Sequence, residues 1–128
     1  MADKLKLSQK SSEQLSFLSS RMNLKRNLIC RLALSKSLST RNPVPDTLLT
    51  DTEGYEFNKS TILGSDEILF KSLSAFIQNK SADGEYFNII IRNHIEIGLE
   101  IINSEYQEIN SPVTYLAMLI DNGTPPSE

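Results

Sequence analysis

Cysteine is almost absent from this chain. Cys30 is the only one among 128 residues, so no intrachain disulfide can form, and with His94 as the only histidine a tetrahedral zinc cage is short of ligands. Long apolar runs are missing too, and stretches such as Ile89 to Ile91 are far too short to cross a bilayer. No apolar stretch and no small-residue cleavage site follow Lys4, Lys6 and Lys10, which argues against a secretory leader and for a cytoplasmic protein. There is no P-loop, no G-x-S-x-G, no H-E-x-x-H and no Cys-x-x-Cys, so no reaction class suggests itself. The expectation is a non-enzyme that uses neither cofactor nor metal.

Charge is present in quantity, and it is sorted along the chain. Residues 1–42 carry nine Lys/Arg against two acidic residues, a surplus of +7, while residues 43–128 carry four against fourteen, a deficit of 10 that leaves the net -3. A basic third binds polyanions through counterion release, provided its cations share a face. The alternative is that the basic and acidic parts pair with each other on folding.

The hydrophobic spacing predicts a mainly α protein folded as one domain over residues 1–128, with a basic part (1–42), a loop (43–64), a helical part (65–120) and a disordered tail (121–128). Lys4-Leu5-Lys6-Leu7 alternates with the period of a short strand, which puts both lysines on one face. Ser11 and Gln14 fit a capping box opening a first helix that ends near Arg21, and Asn23 tolerates the left-handed conformation of a tight turn. A second helix from about Lys25 carries Leu28, Ile29, Leu32, Ala33 and Leu38 as its apolar stripe, until Pro43 and Pro45 break it. Ser65 is placed to cap a third helix with the stripe Ile68, Leu69, Leu73, Phe76 and Ile77. Glu85 to Ile102 reads as a long core helix, and Ser111-Pro112 opens a last one over Val113 to Ile120.

A basic strand, a helix, a turn and a second helix follow one another as in a ribbon-helix-helix module, in which two chains pair their strands into a ribbon for the DNA major groove. Lys4 and Lys6 would face the nucleic acid. Lys25 and Arg26 would meet a phosphate at the positive end of the second helix, with Arg21, Arg31 and Lys36 reinforcing that surface and Lys59 extending it. The alternative for each is a solvated helix face. Cys30 reads as a packed residue rather than a sulfur carrier, His94 as a structural rather than catalytic histidine, and Glu56 and Asn58 as capping or loop-closing residues.

Three blocks carry a family resemblance. Asn27-Leu28-Ile29-Cys30-Arg31-Leu32-Ala33 with Ser37-Leu38 is similar to an N-x-x-C-R-x-A signature followed by Ser-Leu. Gly54-Tyr55-Glu56-Phe57-Asn58-Lys59-Ser60-Thr61-Ile62-Leu63-Gly64 is similar to G-x-E-F-N-R-x-T-L-x-G, and Arg92-Asn93-His94 with Gly98 to R-x-H-x-x-x-G. Their order and spacing, over about residues 12–120, resemble the DndE family of bacterial DNA sulfur modification proteins. The turn departs from the family's T-G-L-T-P-N, reading Arg21-Met22-Asn23-Leu24-Lys25-Arg26-Asn27, which is more basic.

The resemblance implies a small DNA-engaging component of the machinery that replaces a non-bridging phosphate oxygen with sulfur. Its implied partners are double-stranded DNA, including nicked DNA, the proteins DndC and DndD, and further copies of itself in a homo-oligomer. A ribbon-helix-helix repressor or antitoxin and a protein adapter without DNA affinity are the competing expectations.

Overall fold

The computed structural model describes residues 4–109 and 111–123. A short strand β1 (Lys4–Lys6) leads into helices α1 (Gln9–Met22) and α2 (Arg26–Ser39), and a long loop returns to strand β2 (Glu56–Asn58). Helix α3 (Lys59–Leu63), a single 3-10 turn (Gly64–Asp66), α4 (Glu67–Gln78), α5 (Gly84–Ile109) and α6 (Pro112–Gly123) complete a mainly helical chain. The strand partner differs from the two-chain ribbon expected. β1 pairs antiparallel with β2 of the same chain, Leu5 opposite Phe57, so the stretch expected as loop to residue 64 holds a strand and a helix.

Helix α1 begins three residues before the Ser11 box. Ser8 is the N-cap, its hydroxyl accepting from the Ser11 N–H at 3.0 Å while donating to the Glu96 carboxylate at 2.9 Å. Ser11 lies inside the helix and donates its own hydroxyl to Glu96 at 2.7 Å. The cap is therefore chosen by a tertiary acceptor 88 residues away, which no local pattern can reveal. Asn23 closes α1 in the left-handed conformation (φ 55°), as its type allows.

The core joins Leu5, Leu15 and Leu18 of the first two elements to Ile29, Cys30, Ala33 and Leu34 of α2 and to Phe87, Ile91, Ile95, Leu99 and Ile102 of α5. The apolar stripe of α2 is rotated from the one read in the sequence, for Leu28 is 42% exposed while Cys30 and Leu34 are fully buried. α2 and α5 are the principal packed pair, and Gly98 sets their approach. A Cβ there would lie 1.8 Å from the Ala33 carbonyl oxygen. Gly54 plays the same part under the loop, where a Cβ would meet the Ser12 hydroxyl and the Ser8 backbone. Two glycines of the resembling blocks are thus points of backbone contact.

Helix α4 departs most from expectation. It starts at Glu67 after the 3-10 turn, and it turns Phe70 and Ser74 inward while Ile68, Leu69, Leu73 and Phe76 stay exposed. Helix α5 runs to Ile109, beyond the Ile102 expected. Helix α6 opens as the sequence suggests, with Ser111 accepting from the Thr114 and Tyr115 N–H groups, and continues to Gly123. That places three residues of the expected tail in a helix; the remainder, 124–128, lies outside the described residues. Among the described residues no helix is long and apolar enough to cross a membrane.

Unexpectedly for its apolar stripe, α5 also buries a polar row of Arg92, Asn93, His94 and Glu96. Glu96 accepts from the Ser8 N–H (2.8 Å), the Ser8 and Ser11 hydroxyls and Thr50 (3.1 Å), and pairs with Arg92 at 3.7 Å. Arg92 donates to the carbonyls of Lys6 and Asp51. Asn93 accepts from the Leu49 N–H and donates to the carbonyls of Pro45 and Thr47. His94 is fully buried, 2.7 Å from the Ser37 hydroxyl through Nδ1, and its Nε2 finds no partner among the described residues. Burial pushes its pKa down to about 4, so it is neutral in the folded protein.

Two outcomes follow. Gly98→Ala drives a methyl into the α2 backbone and is expected to cost about 3 kcal/mol or more in urea unfolding. For His94, the unfolded side chain takes up its proton near pH 6.5 and the folded one only near 4, so stability present at neutral pH is lost as the pH falls through that window. About 2 kcal/mol should disappear between pH 7 and 5, and His94→Gln should remove that part of the slope, read from urea midpoints at the two pH values.

Candidate nucleic-acid interface

Strand β1 turns Leu5 into the core and leaves Lys4 and Lys6 exposed on one face, as its alternation requires. In register, Lys4 faces Asn58 and Lys6 faces Glu56 on β2. The ribbon continues past the strands, because the Leu7 N–H donates to the Tyr55 carbonyl (2.9 Å) and the Gly54 N–H to the Leu7 carbonyl (2.8 Å). Tyr55 is held on its other side by the Ser12 hydroxyl, which accepts from its N–H at 2.7 Å, and by Ser16, 3.1 Å from its phenol. The exposed ring then carries the Arg26 guanidinium at 4.8 Å from its centroid. Tyr55 thereby connects the end of the ribbon with the beginning of α2.

The α1–α2 turn presents the densest exposed positive charge. Arg21 lies over the Phe17 ring at 5.2 Å, Lys25 occupies the N-cap of α2 without a side-chain capping bond, and Arg26 is the first helical residue. No cap side chain covers the N–H groups of Arg26 and Asn27 in the first turn, so these donors and the positive dipole end lie beside Lys25 and Arg26, while the Leu28 N–H donates to the Lys25 carbonyl. Glu13 and Glu53 line a cleft that also borders Tyr55.

Three of the cations expected here have other work. Arg31 is half-buried, donating to the carbonyls of Ile62 (3.1 Å) and Leu63 (2.9 Å) and to the Asp66 carboxylate, over the Phe70 ring. It fastens α2 to the end of α3. Lys36 pairs with Glu105 at 3.2 Å and joins α2 to α5. Lys59 donates to Asn88 at 3.0 Å, pairs with Glu67 at 3.9 Å and lies over Phe87. Their acceptors are fixed in space and distant in sequence, which is why a local reading takes these residues for free cations.

Of the thirteen Lys and Arg, seven are ion-paired: Lys10, Arg31, Lys36, Lys59, Lys71, Lys80 and Arg92. The other six, Lys4, Lys6, Arg21, Lys25, Arg26 and Arg41, have no ion pair among the described residues, and all lie in the first 42. The acidic part of the chain thus neutralises its own cations and part of the basic third, and the surplus remains on β1 and at the two ends of α2. Arg41 carries no local sequence signal that marks it as part of this set. It sits just beyond α2 in the left-handed conformation (φ 62°).

Asn58 stands at the N-cap of α3 but makes no side-chain capping bond, so the capping role expected of it is not the one it plays; Glu56 is exposed opposite Lys6. Cys30 is fully buried against α5, and burial together with the nearby Glu96 charge pushes its thiol up to about 12. A thiol so protonated packs as a small hydrophobe. Among the described residues no group of His, Cys, Asp and Glu is arranged to hold a metal ion.

A search of curated proteins finds no match. Among solved structures, DndE from Escherichia coli B7A, involved in DNA phosphorothioation modification, superposes with a TM-score of 0.63 at 18% identity, over 78% of this chain and 96% of that one. A glycine-to-lysine mutant of DndE involved in DNA phosphorothioation gives the same score and identity over 79% and 97%. At that identity the likeness establishes the fold. The family model for the DNA sulphur modification protein DndE matches residues 4–110, from the basic strand through the end of α5, and the chain belongs to the DndE family.

Proposed function

We propose that this protein is a non-catalytic subunit of the DNA phosphorothioation machinery that holds duplex DNA by its backbone, without sequence specificity, including at nicks. The observation that carries the reading is the distribution of cations that have no ion pair among the described residues. Lys4, Lys6, Arg21, Lys25 and Arg26 lie on the ribbon and the α1–α2 turn, beside uncapped helix N–H groups, in a chain whose net charge is -3. Phosphate oxygens fit such a surface, because they accept from backbone donors and from flexible ammonium and guanidinium groups alike.

Within the machinery the partners are DndC and DndD. A small helical domain in the cytoplasm suits an accessory that brings DNA to a catalytic partner. The pairing of β1 with β2 inside one chain weighs against a repressor that reads an operator with a two-chain ribbon. Burial of Cys30 and His94 favours packing roles for both over sulfur transfer or proton transfer.

Fluorescence anisotropy on random-sequence duplexes, intact and nicked, over a salt series tests this. Binding is expected to be sequence-independent and steeply salt-dependent. Lys25→Ala plus Arg26→Ala should weaken it roughly tenfold and lower the slope of log affinity against log salt by about 2, whereas Lys71→Ala plus Lys80→Ala, which removes paired cations, should leave both unchanged. Absence of binding at low salt would overturn the DNA role in favour of an adapter. A preference for one sequence by about a thousandfold would favour a repressor.

A further inference from the structure

The cleft beside Tyr55 has no role in holding a DNA backbone. Its volume is about 500 Å³, inside the range of roughly 300–1,000 Å³ that small-ligand pockets span, and Ser12, Glu13, Ser16, Glu53 and Tyr55 are among the residues that line it. Tyr55 is firmly held there, its N–H donating to Ser12 at 2.7 Å and its phenol 3.1 Å from the Ser16 hydroxyl. The ring is 39% exposed and carries the Arg26 guanidinium, so an aromatic surface and a cation border the same cleft. The Glu13 carboxylate has one partner, the Gln9 amide at 3.1 Å, and the Glu53 carboxylate has none among the described residues. Arg26 has no ion pair there either, so cation and carboxylate stand around one tyrosine without neutralising each other. Carboxylates at the margin of a surface for polyanions repel phosphate. A ligand that brings both an anionic group and a row of N–H donors suits both charges, and a nucleotide is such a ligand.

We infer that the cleft receives an unstacked nucleobase, guanine before the other three, from the strand whose phosphate rests on Arg26. The inference depends on the DNA-holding role and adds to it a contact with a base. The pairing edge of guanine presents two adjacent donors, N1–H and the exocyclic N2 amino group, which one carboxylate accepts side by side. Adenine and cytosine present one amino group beside a ring acceptor that a carboxylate repels, and thymine presents one N–H between two carbonyls. Tyr55, with Arg26 over its ring, supplies the flat π surface on which single-stranded bases stack. A paired base is held in the helix stack, and freeing one costs least at a nick or a single-stranded end. Intact duplexes are therefore still bound alike, and the preference emerges only where a base is already free.

The test is fluorescence anisotropy on nicked duplexes that carry one unpaired nucleotide at the nick, either G, A, C, T or hypoxanthine, which lacks the N2 amino group. The guanine flap is expected to bind about tenfold more tightly than the thymine flap, with hypoxanthine between them. Glu13→Gln plus Glu53→Gln should abolish that order, while binding of the intact duplex holds or rises because two negative charges are gone. Neither carboxylate has a partner outside α1, so the circular dichroism spectrum should not change. Equal affinity for every flap in the wild type overturns the inference and leaves the backbone-holding role standing. A guanine preference that survives the double substitution overturns it as well, because the base then sits elsewhere. Failure of every DNA to bind overturns the DNA role itself, and the base contact with it.

Discussion

The ion pair between Arg92 and Glu96, one turn apart in the middle of α5, is the interaction on which the arrangement of this protein depends. Both side chains are almost wholly buried, where an uncompensated charge is prohibitive and even a bare pair repays its desolvation poorly. They persist because their remaining hydrogen-bonding capacity is filled by three separate parts of the chain. Lys6 and Asp51 offer carbonyls to the guanidinium, while Ser8, Ser11 and Thr50 donate to the carboxylate. Removing either partner would strand the other at a cost of about 3–5 kcal/mol.

From this pair the cationic surface can be followed outward bond by bond. Glu96 fixes the cap of α1, Arg92 fixes the carbonyl that ends β1, and the adjoining Asn93 holds the incoming loop at Pro45, Thr47 and Leu49. That loop delivers Gly54 and Tyr55 to the ribbon, where Gly54 passes too close to Ser8 and Ser12 for any side chain. Tyr55 in turn supports Arg26 at the beginning of α2. The cationic surface is therefore a consequence of buried polar chemistry on a helix that contributes no side chain to that surface itself. The glycine at 98 completes the frame by letting α2 lie directly on α5.

How much of this the sequence discloses varies with the range of the interaction. The basic strand, the two helices around a left-handed Asn23, the long α5 and the Ser111-Pro112 start of α6 are all written in local spacing and in residues with local conformational meaning. The motif blocks that resemble DndE point to Gly54, Arg92, His94 and Gly98, without saying that these residues are structural. What local reading misses is long-range. Local spacing offers Ser11 as the cap of α1, and the choice falls to Ser8 through Glu96. Arg31, Lys36 and Lys59 look like free cations until Asp66, Glu105 and Glu67 are brought beside them. The amphipathic pattern of α4 is legible, but the core takes its narrow Phe70 side and leaves the broad stripe outside. An i, i+4 pair of opposite charge within an apolar helix was the one local signal for the buried pair.

Hydrogen–deuterium exchange on Glu96→Gln, compared with the wild type, tests this dependence most directly. Glutamine keeps the size of the side chain but removes the charge that Arg92 and the Ser8 amide require. Residues 4–12 and 45–55 are expected to lose protection together, and by more than the centres of α2 and α5. Unchanged exchange in both segments, or loss of protection in only one of them, would contradict it.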